Sequence, residues 1–392
     1  MFKFKKSSIF LIIASLILAL MWGGKLPYFI LYVIIITIAV SYFWSGRIAK
    51  RLDFNQKVIK DYVYVGDEIE INTIIYNESF LPAPCIEIKN GLIRDLSGKS
   101  PNSNIISIMP FSSRIVAQKV KCKYRGVYNF GPIDIIISDV FGLFTWSRQI
   151  ICHGTLTVFP KVVSLRRFTI RPMQTFGTVT TKQKANEDYS SISDIRKYYP
   201  GDSFKKIHWK LSAHKGSLYV KNFEMSGSCE AYIFLNLFHN DYYDMYRADM
   251  EEKAVECACA IIYYMLSKNI NTGLYANSKE PVYIRGRDVR EFNKFMQELI
   301  RVKSDGISPL EELLEQRSRI LPRGSSIILI TPELNKEIID KIIQLKEDKF
   351  DVIIVYIMIE DLNQEIVRVI NHYGIKLFKI GINDEIRTAL GG

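Results

Sequence analysis

Acidic residues are missing from the first 51 positions, and the motifs of the common enzyme classes are missing from all 392. The chain contains no G-x-x-x-x-G-K-[ST] phosphate loop, no G-x-G-x-x-G dinucleotide motif, no H-E-x-x-H zinc motif and no G-x-S-x-G nucleophile elbow. These absences exclude enzymes that depend on those motifs and favour a protein that is not an enzyme. A ligand site at the carboxyl ends of parallel strands needs no such motif and stays open.

Paired cysteines are also missing, because the six cysteines form no C-x-x-C pair and show no regular spacing. A disulfide framework is therefore not expected, and a reducing cytoplasmic compartment suits the chain. Cys257 and Cys259 point to opposite sides of a predicted helix and are expected to be core thiols. His208 and His214 lie six residues apart, a spacing that does not direct both at one metal ion.

Two stretches without any charged residue, 7–24 and 26–46, are separated by a single lysine. Each is long enough to cross a bilayer as a helix. Three lysines precede the first stretch and three basic residues follow the second, and such flanks remain in the cytoplasm. We therefore predict a transmembrane helical hairpin over 1–51, in a multi-pass cell-membrane protein with both termini cytoplasmic. The alternative is a cleaved signal peptide followed by one span, but Met21 and Trp22 stand where a cleavage site needs small residues.

The net charge of +11 is unevenly distributed along the chain. Basic and acidic residues number 7 and 0 in 1–51, 11 and 10 in 52–160, 13 and 5 in 161–224, and 21 and 26 in 225–392. The basic excess therefore belongs to the membrane flanks and to 161–224. Neither source by itself indicates a nucleic-acid-binding protein.

Residues 52–160 consist of short alternating or β-branched runs separated by turn residues. In "EIEINTIIY" one face is formed by Ile69, Ile71, Thr73 and Ile75, with Glu70, Asn72 and Ile74 between them. This period of two is typical of a strand with one buried face. We predict an antiparallel β-sandwich of about seven strands, without catalytic residues.

Residues 225–392 alternate between buried-strand runs and amphipathic stretches. The predicted strands are "CEAYIFLNL", "NTGLYAN", "SSIILIT", "DVIIVYIMI" and "IKLFKI". The clearest helix, 249–266, repeats apolar residues at helical spacing: Ala254, Val255, Ala258, Ile261, Ile262, Met265 and Leu266. Strands separated by helices predict a mostly parallel, doubly wound α/β sheet.

The segment 161–224 contains "RKYYPGDSFKKIHWKLSAHKGSLYVKNFE", which is basic and rich in aromatic residues. Asp202 follows the turn residues Tyr-Pro-Gly and is predicted to be the N-cap of a helix "SFKKIHWKLSAH" that Gly216 ends. Helical spacing places Trp209 and Ser212 on the outward, basic face. The run "SLYVKNFE" is then predicted to be a strand leading into the α/β domain.

This segment, together with "YRGVYNFGP" and "DVFGLF" upstream, resembles the domain of unknown function 58 family. The motif residues are Arg196, Tyr198, Pro200, Gly201, Asp202, Trp209 and Lys210. Val140 stands where the family usually has proline in "DPFGLF". The resemblance covers most of the chain and implies a two-helix anchor, a β-rich region, the motif segment and a C-terminal half similar to a von Willebrand factor A domain. It also implies that the partner is a MoxR-type AAA+ ATPase.

An A domain normally carries a D-x-S-x-S motif that holds Mg²⁺ after its first strand. The corresponding positions here, with those after a later strand, are Asn236, Phe238, Asn240, Thr331 and Glu333. Amides and a phenylalanine cannot replace a carboxylate and two hydroxyls as magnesium ligands. We predict a degenerate site that binds its partner without a metal or cofactor, although Asp241, Asp244 or Glu333 could reach the same crevice.

Three functions are compatible with these features. The favoured one is a membrane-anchored cytoplasmic scaffold that presents an A-domain-like module to a MoxR-type ATPase. The second is an enzyme or ligand-binding protein with a site at the carboxyl edge of the sheet. The third is nucleic-acid binding through 161–224, where lysines alternate with aromatic residues, but no recognised nucleic-acid-binding fold accompanies that charge.

Overall fold

The computed structural model describes residues 2–4, 6–99, 103–168, 170, 192–199, 202, 207–223, 230–359 and 361–391. The chain divides into two compact units. The β-rich unit comprises Met1–Lys161 and Met296–Arg301, and the α/β unit comprises Val162–Phe295 and Val302–Gly392.

Two apolar helices, α1 (Lys6–Trp22) and α2 (Lys25–Arg51), follow a short strand, β1 (Phe2–Phe4). The turn between the helices is made by Gly23 and Gly24, at φ 61° and 83°, where glycine avoids the steric cost of a side chain. Among the described residues, only α2 has the length and hydropathy needed to span a membrane, and α1 contains a shorter apolar helix.

The remaining elements of the β-rich unit are β-strands and one helix. They are β2 (Leu52–Val58), β3 (Tyr62–Tyr64), β4 (Glu68–Asn77), β5 (Ala83–Asn90), α3 (Gly91–Ser97), β6 (Asn104–Ile108), β7 (Ser112–Lys121), β8 (Gly126–Asn129), β9 (Ile133–Ser138), β10 (Phe144–Ile150) and β11 (Thr155–Phe159). They form sheets ordered β1-β10-β9-β5-β6, β2-β4-β7 and β3-β11-β8. All pairs are antiparallel except β3 with β11. Ten described strands therefore lie in 52–160, more than the seven predicted, because short strands at the ends of the long ones form a third sheet.

The alternation predicted from "EIEINTIIY" is confirmed in β4, where Ile69, Ile71, Thr73 and Ile75 are buried. Ile75 packs in a core cluster with Ile86, Ile88 and Ile135 of the five-stranded sheet. Ile48 of α2 belongs to the same cluster, so the end of this helix is part of the β-rich core.

The α/β unit begins with a two-stranded antiparallel sheet of β12 (Ile192–Lys197) and β13 (Tyr219–Phe223), with α4 (Trp209–Lys215) between them. The elements that follow are β14 (Glu230–Leu235), α5 (Arg247–Ser267), β15 (Asn271–Ala276), β16 (Val282–Gly286), α6 (Phe292–Leu299), α7 (Leu310–Ser318), β17 (Ser326–Thr331), α8 (Lys336–Glu347), β18 (Asp351–Met358), α9 (Gln364–His372), β19 (Lys376–Gly381) and α10 (Ile386–Gly391).

Six of these strands form one sheet in the order β16-β15-β14-β17-β18-β19, parallel except for β16 at the edge. One face of the sheet packs against α7, α8 and α9. Helix α5 contacts β14, β15, β17 and β18. Its buried residues do not belong to the core cluster formed with α7, α8 and α9, so α5 covers the other face of the sheet. All seven apolar residues predicted for this helix are buried, and the five predicted strands are confirmed within a few residues.

Candidate functional site

The carboxyl ends of β14, β15 and β17 meet at one edge of the six-stranded sheet. The chain leaves β14 toward β15 on one side, while β17 lies on the other side, so the crossovers change direction at β14. Open α/β sheets bind ligands at such a topological switch point. Asn236, Asn277 and Thr331 stand at these strand ends, and we name the surface around them the carboxyl-edge crevice.

The side-chain amide of Asn236 is the centre of this crevice and is fully buried. Its Nδ2 donates to Asp241 Oδ2 at 2.6 Å and to Thr331 Oγ1 at 3.0 Å. Its Oδ1 accepts from Phe238 N and Asn277 Nδ2, each at 3.1 Å. Two donated and two accepted bonds use the full capacity of an amide. Asn236 thus connects the two strands on either side of the switch point.

Asn277 and Gly306 extend this network to the neighbouring loops. Asn277 Oδ1 accepts from Leu237 N at 2.5 Å, and its Nδ2 donates to Ser308 O at 2.9 Å. Gly306 N donates to Leu237 O at 2.9 Å, and Gly306 O accepts from His239 N at 3.0 Å. The loop after β14 is therefore held by hydrogen bonds from two other segments.

Carboxyl groups line the same crevice. Burial, with smaller contributions from the nearby Glu311 and Glu333, raises the pKa of Asp241 to about 6, against the hydrogen bond from Asn236 that lowers it. Burial also raises the pKa of Glu333, opposed by the Leu334 amide. Glu311 Oε1 accepts a hydrogen bond from Asn335 Nδ2 at 2.9 Å. Asp241 is thus only partly ionised near pH 6, and two further carboxyl groups lie close enough to influence its pKa.

Asp241→Asn is expected to stabilise the α/β unit above pH 6 by about 1 to 2 kcal/mol, after allowance for solvent screening. Because the folded pKa is raised, the native state holds a proton that the unfolded chain releases between pH 4 and pH 6. Asp241 therefore costs stability as the pH rises through that window, and the amide has no such cost. Native-state hydrogen exchange of β14 from pH 4.5 to pH 8, corrected for intrinsic rates, measures the difference. The exposed Asp340→Asn is the control, and an equal pH dependence in Asp241→Asn and the parent chain would contradict the expectation.

The residues predicted from the sequence divide into two groups. Asn236 and Thr331 are hydrogen-bonded, and Glu333 lies beside them, since Thr331 Oγ1 donates to Glu333 O at 2.8 Å. Phe238 is half-buried and pairs with Gly306, whereas Asn240 is exposed on a short 3-10 turn.

Of the acidic residues that could reach the crevice, Asp241 does so, and Asp244 is exposed and pairs with Arg247. Asn277, Gly306 and Glu311 were not predicted, although Asn277 is the last residue of the predicted strand "NTGLYAN" and could have been found by its position. Within the described ranges, no three His, Cys, Asp or Glu side chains converge in a way that could hold a metal ion.

The motif segment is organised by Asp202, but not as the predicted helix cap. Its carboxylate forms a bidentate pair with Arg196, with both oxygen–nitrogen distances 2.8 Å, and also accepts from Tyr199 N at 3.0 Å. The Arg196 guanidinium lies 5.6 Å from the Tyr199 ring centroid. Pro200 and Gly201 lie outside the described residues.

Helix α4 begins at Trp209, and His208 caps it through Nδ1, which accepts from Leu211 N at 3.1 Å. The predicted helix starts too early because Ile207 pairs with Val220 and His208 N donates to Tyr219 O, which extends the chain up to the cap. Gly216 ends the helix at φ 64°, as predicted.

Trp209 and Ser212, the two residues predicted for the outward face of α4, differ in their exposure to solvent. Trp209 is 66 % exposed and Tyr199, before the helix, is also 66 % exposed. Ser212 is buried, which corrects the prediction, because its Oγ accepts from Tyr219 N at 2.9 Å. Lys210 is exposed and Tyr198 is half-buried. We name the exposed groups Tyr199, Trp209 and Lys210 the motif surface.

The family model "Protein of unknown function DUF58" matches residues 194–379, which include the described motif residues and the crevice. Residues 194–379 are therefore similar to the DUF58 family. The uncharacterized protein YeaD of Bacillus subtilis is 20 % identical over 330 residues, covering 82 % of this chain and 80 % of YeaD.

Two solved structures are similar to parts of this chain. A von Willebrand factor type A protein from Catenulispora acidiphila has a TM-score of 0.30 and 13 % identity, covering 44 % of this chain and 42 % of the other. Proximal thread matrix protein 1 from the mussel byssus has a TM-score of 0.32 and 12 % identity, covering 42 % and 45 %.

Proposed function

We propose that this protein is a membrane-anchored cytoplasmic adaptor that presents its α/β unit to another protein. The observation that carries the proposal is the exposure of Trp209 and Tyr199 in the family motif. Large exposed aromatic residues beside cations are typical of binding hot spots. The partner implied by the family resemblance is a MoxR-type AAA+ ATPase, and we propose that ATPase as the occupant of the motif surface.

The geometry around the motif surface favours recognition over catalysis. The bidentate pair of Arg196 with Asp202 fixes the turn that carries Tyr199, and the cap at His208 fixes the start of α4. Rigid presentation lowers the entropy that an interface residue loses when it binds. Within the crevice, the amide of Asn236 is fully used inside the protein and has no remaining bond to offer a ligand.

Trp209→Ala is expected to reduce capture of the MoxR-type ATPase at least tenfold, because loss of a hot-spot side chain costs about 2 kcal/mol or more of binding. It should change the free energy of unfolding by less than about 0.5 kcal/mol, because the ring is exposed. Crosslinking of the full chain in membranes, followed by co-purification and quantitative mass spectrometry, measures the capture.

Tyr373→Ala, which removes an exposed aromatic ring outside the motif, is the matched control. Capture should also survive chelation of divalent ions, since we propose a contact without metal. Equal capture by Trp209→Ala and the parent chain would remove Trp209 from the interface, and loss of capture on chelation would contradict the metal-free contact.

The anchor in this proposal is the pair α1 and α2. Their surfaces carry exposed apolar residues along most of their length, including Phe10, Phe29 and Ile36. β1, directly before α1, pairs with β10, and the end of α2 packs near the same strand. Both outer ends of the hairpin therefore lie on the same side, which supports two spans with a common side for the N-terminus and the β-rich unit.

A reporter fused after Arg51 is expected to be active only as a cytoplasmic fusion. The three basic residues Arg47, Lys50 and Arg51 close to the end of the second stretch determine this orientation. Paired alkaline phosphatase and fluorescent-protein fusions at Arg51 measure it, with fusions after Gly24 as the control for the opposite side. Phosphatase activity of the Arg51 fusion would overturn the assignment.

A second candidate function is ligand binding or catalysis at the carboxyl-edge crevice. It is favoured by the raised pKa of Asp241 and by an open pocket of about 320 Å³ that begins at Asn277 and reaches Arg317. Nucleic-acid binding by 161–224 depends on a stretch of which 171–191 and 203–206 lie outside the described residues. It receives no further support.

A further inference from the structure

Exposed apolar side chains lie around the point at which α2 meets the β-sheets of the β-rich unit. They come from three turns, between β4 and β5, between β6 and β7, and between β9 and β10. We name them the apolar rim: Phe80, Met109, Phe111, Val140 and Phe141, each between 53 % and 74 % exposed. Clustered exposed apolar groups mark surfaces that contact another apolar phase.

The turn between β9 and β10 lies beside α2. The ring centroids of Phe144 and Tyr42 are 5.6 Å apart, and two residues further along, Trp146 Nε1 donates to Ser45 Oγ at 3.0 Å. β10 therefore runs in the same direction as α2. The turn that precedes β10, with Phe141, consequently projects toward the part of α2 that precedes Tyr42.

This turn is held rigidly in a shape that exposes its apolar residues. Asp139 Oδ1 accepts from Phe144 N at 2.7 Å, and Asp139 Oδ2 accepts from Phe141 N at 3.0 Å. Gly142, at φ 63°, completes the turn. Asp139 is itself buried, so its carboxylate is committed to the turn. The turn "DVFGLF" thus directs Val140 and Phe141 away from the core.

The β4–β5 turn lies against the end of α2, and the β6–β7 turn lies beside the β4–β5 turn. The Arg47 guanidinium is 5.4 Å from the Phe80 ring centroid. Phe111 N donates to Ser79 O at 3.2 Å, which joins the β6–β7 turn to the residue before Phe80. Phe111 has φ 49°, a backbone conformation that a bulky residue rarely adopts.

The length of α2 places the rim at the boundary of a bilayer. A helix crosses a hydrocarbon core of about 30 Å with about 20 residues, and a count of 20 from Lys25 reaches Trp44. Ser41 and Ser45 are buried, and Ser45 Oγ accepts from Trp146 of β10, while most residues of 25–40 are exposed. The unit therefore begins at the depth where the hydrocarbon core ends.

We propose that the apolar rim inserts into the lipid bilayer beside α2, so that the β-rich unit is seated on the membrane and not only tethered to it. The proposal rests on the membrane anchoring proposed above. The bilayer is the occupant because the rim continues the exposed apolar surface of α2 at the depth where that helix leaves the hydrocarbon. Arg47, Lys50 and Arg51 follow at the level of the lipid headgroups, where basic residues are attracted to anionic lipid.

The test uses the full chain in nanodiscs of phosphatidylcholine and phosphatidylglycerol. Trifluoromethyl-phenylalanine replaces one residue at a time at Phe141, Phe111, Phe29 in α2, and Ile151. Ile151 is the matched control, because it is 77 % exposed and directly follows β10, at the opposite end of the strand from Phe141. Fluorine signal broadening is measured with a spin-labelled lipid and with a water-soluble gadolinium chelate.

We expect Phe141, Phe111 and Phe29 to lose most of their signal with the spin-labelled lipid and little with the chelate, and Ile151 to show the reverse. If Phe29 follows this expectation while Phe141 and Phe111 behave like Ile151, the rim proposal is overturned and the anchor stands. If Phe29 is itself open to the chelate, the anchor fails and the rim proposal fails with it. Protection of Phe141 from both reagents would mean that protein covers the rim, which also overturns the proposal.

Discussion

Gly306→Ala is expected to destabilise the α/β unit by about 3 kcal/mol, since overpacking typically costs about 1 to 3 kcal/mol and backbone neighbours place this site at the upper end. A Cβ at this position would lie 1.8 Å from Asn277 O and 2.8 Å from Leu237 O. Both atoms belong to the backbone and cannot turn away as a flexible side chain would. The methyl group therefore has to displace the chain at the carboxyl ends of β14 and β15.

Displacement would also break hydrogen bonds that the same backbone makes. Gly306 N donates to Leu237 O, and Gly306 O accepts from His239 N. Leu237 N donates to Asn277 Oδ1. We expect faster hydrogen exchange at the amides of Leu237, His239 and Gly306's replacement, and a lower midpoint of thermal unfolding. Lys303→Ala, an exposed change in the same loop, should leave both unchanged. An unaltered exchange pattern in Gly306→Ala would show that this edge is looser than its contacts indicate.

Regular elements could be predicted because their signals are local. The alternation through β4 and the helical period of α5 follow directly from neighbouring residues, and the structure buries the expected positions. β17, with every residue buried, has the continuous apolar run typical of a central parallel strand. The edge strand β16, "VYIRG", lacks such a run, because only half of its positions face the protein, and it was missed.

The errors occur where distant segments compete with a local rule. Asp202 fits the rule for a helix N-cap, but Arg196 from β12 takes its carboxylate. Pairing of Ile207 with Val220 then keeps the chain extended until His208. Neither contact can be predicted from the spacing of the residues around Asp202.

The crevice was predictable only in part, for the same reason. Asn236 and Thr331 each end a recognisable strand, so their convergence follows from parallel topology. Gly306 comes from a loop with no periodic pattern, and its role depends on Asn277 O and Leu237 O, which are far from it in sequence. A glycine required by close backbone approach has no signature in a single sequence.

Asn236→Ala is expected to cost on the order of 3 kcal/mol, because each buried polar group that loses its partner costs about 1 to 3 kcal/mol and the crevice partly relaxes. The change removes the donor to Asp241 and Thr331 and the acceptor for Phe238 N and Asn277 Nδ2. The partners come from three strand ends, so the loss should spread across β14, β15 and β17. Native-state hydrogen exchange of these strands in the detergent-solubilised chain measures it.

Asn236→Asp keeps the size of the side chain but changes its charge, so it separates the electrostatic contribution of Asn236 to stability from the contribution of its shape. The new carboxylate can still accept hydrogen bonds from Phe238 N and Asn277 Nδ2, but it cannot donate to Asp241 or Thr331. One of its oxygens takes the place of Nδ2, which lies 2.6 Å from Asp241 Oδ2. Two carboxyl groups that close must share a proton, which raises the pKa of the pair in the folded state. The variant should therefore approach the parent stability near pH 5 and lose it as the pH rises through the raised pKa. Asn236→Ala carries no second carboxyl, so the extra pH dependence should be absent from it.

Stability of Asn236→Ala within about 0.5 kcal/mol of the parent, the range of an ordinary surface change, would show that water replaces the amide at little cost and that Asn236 does not hold the switch point together.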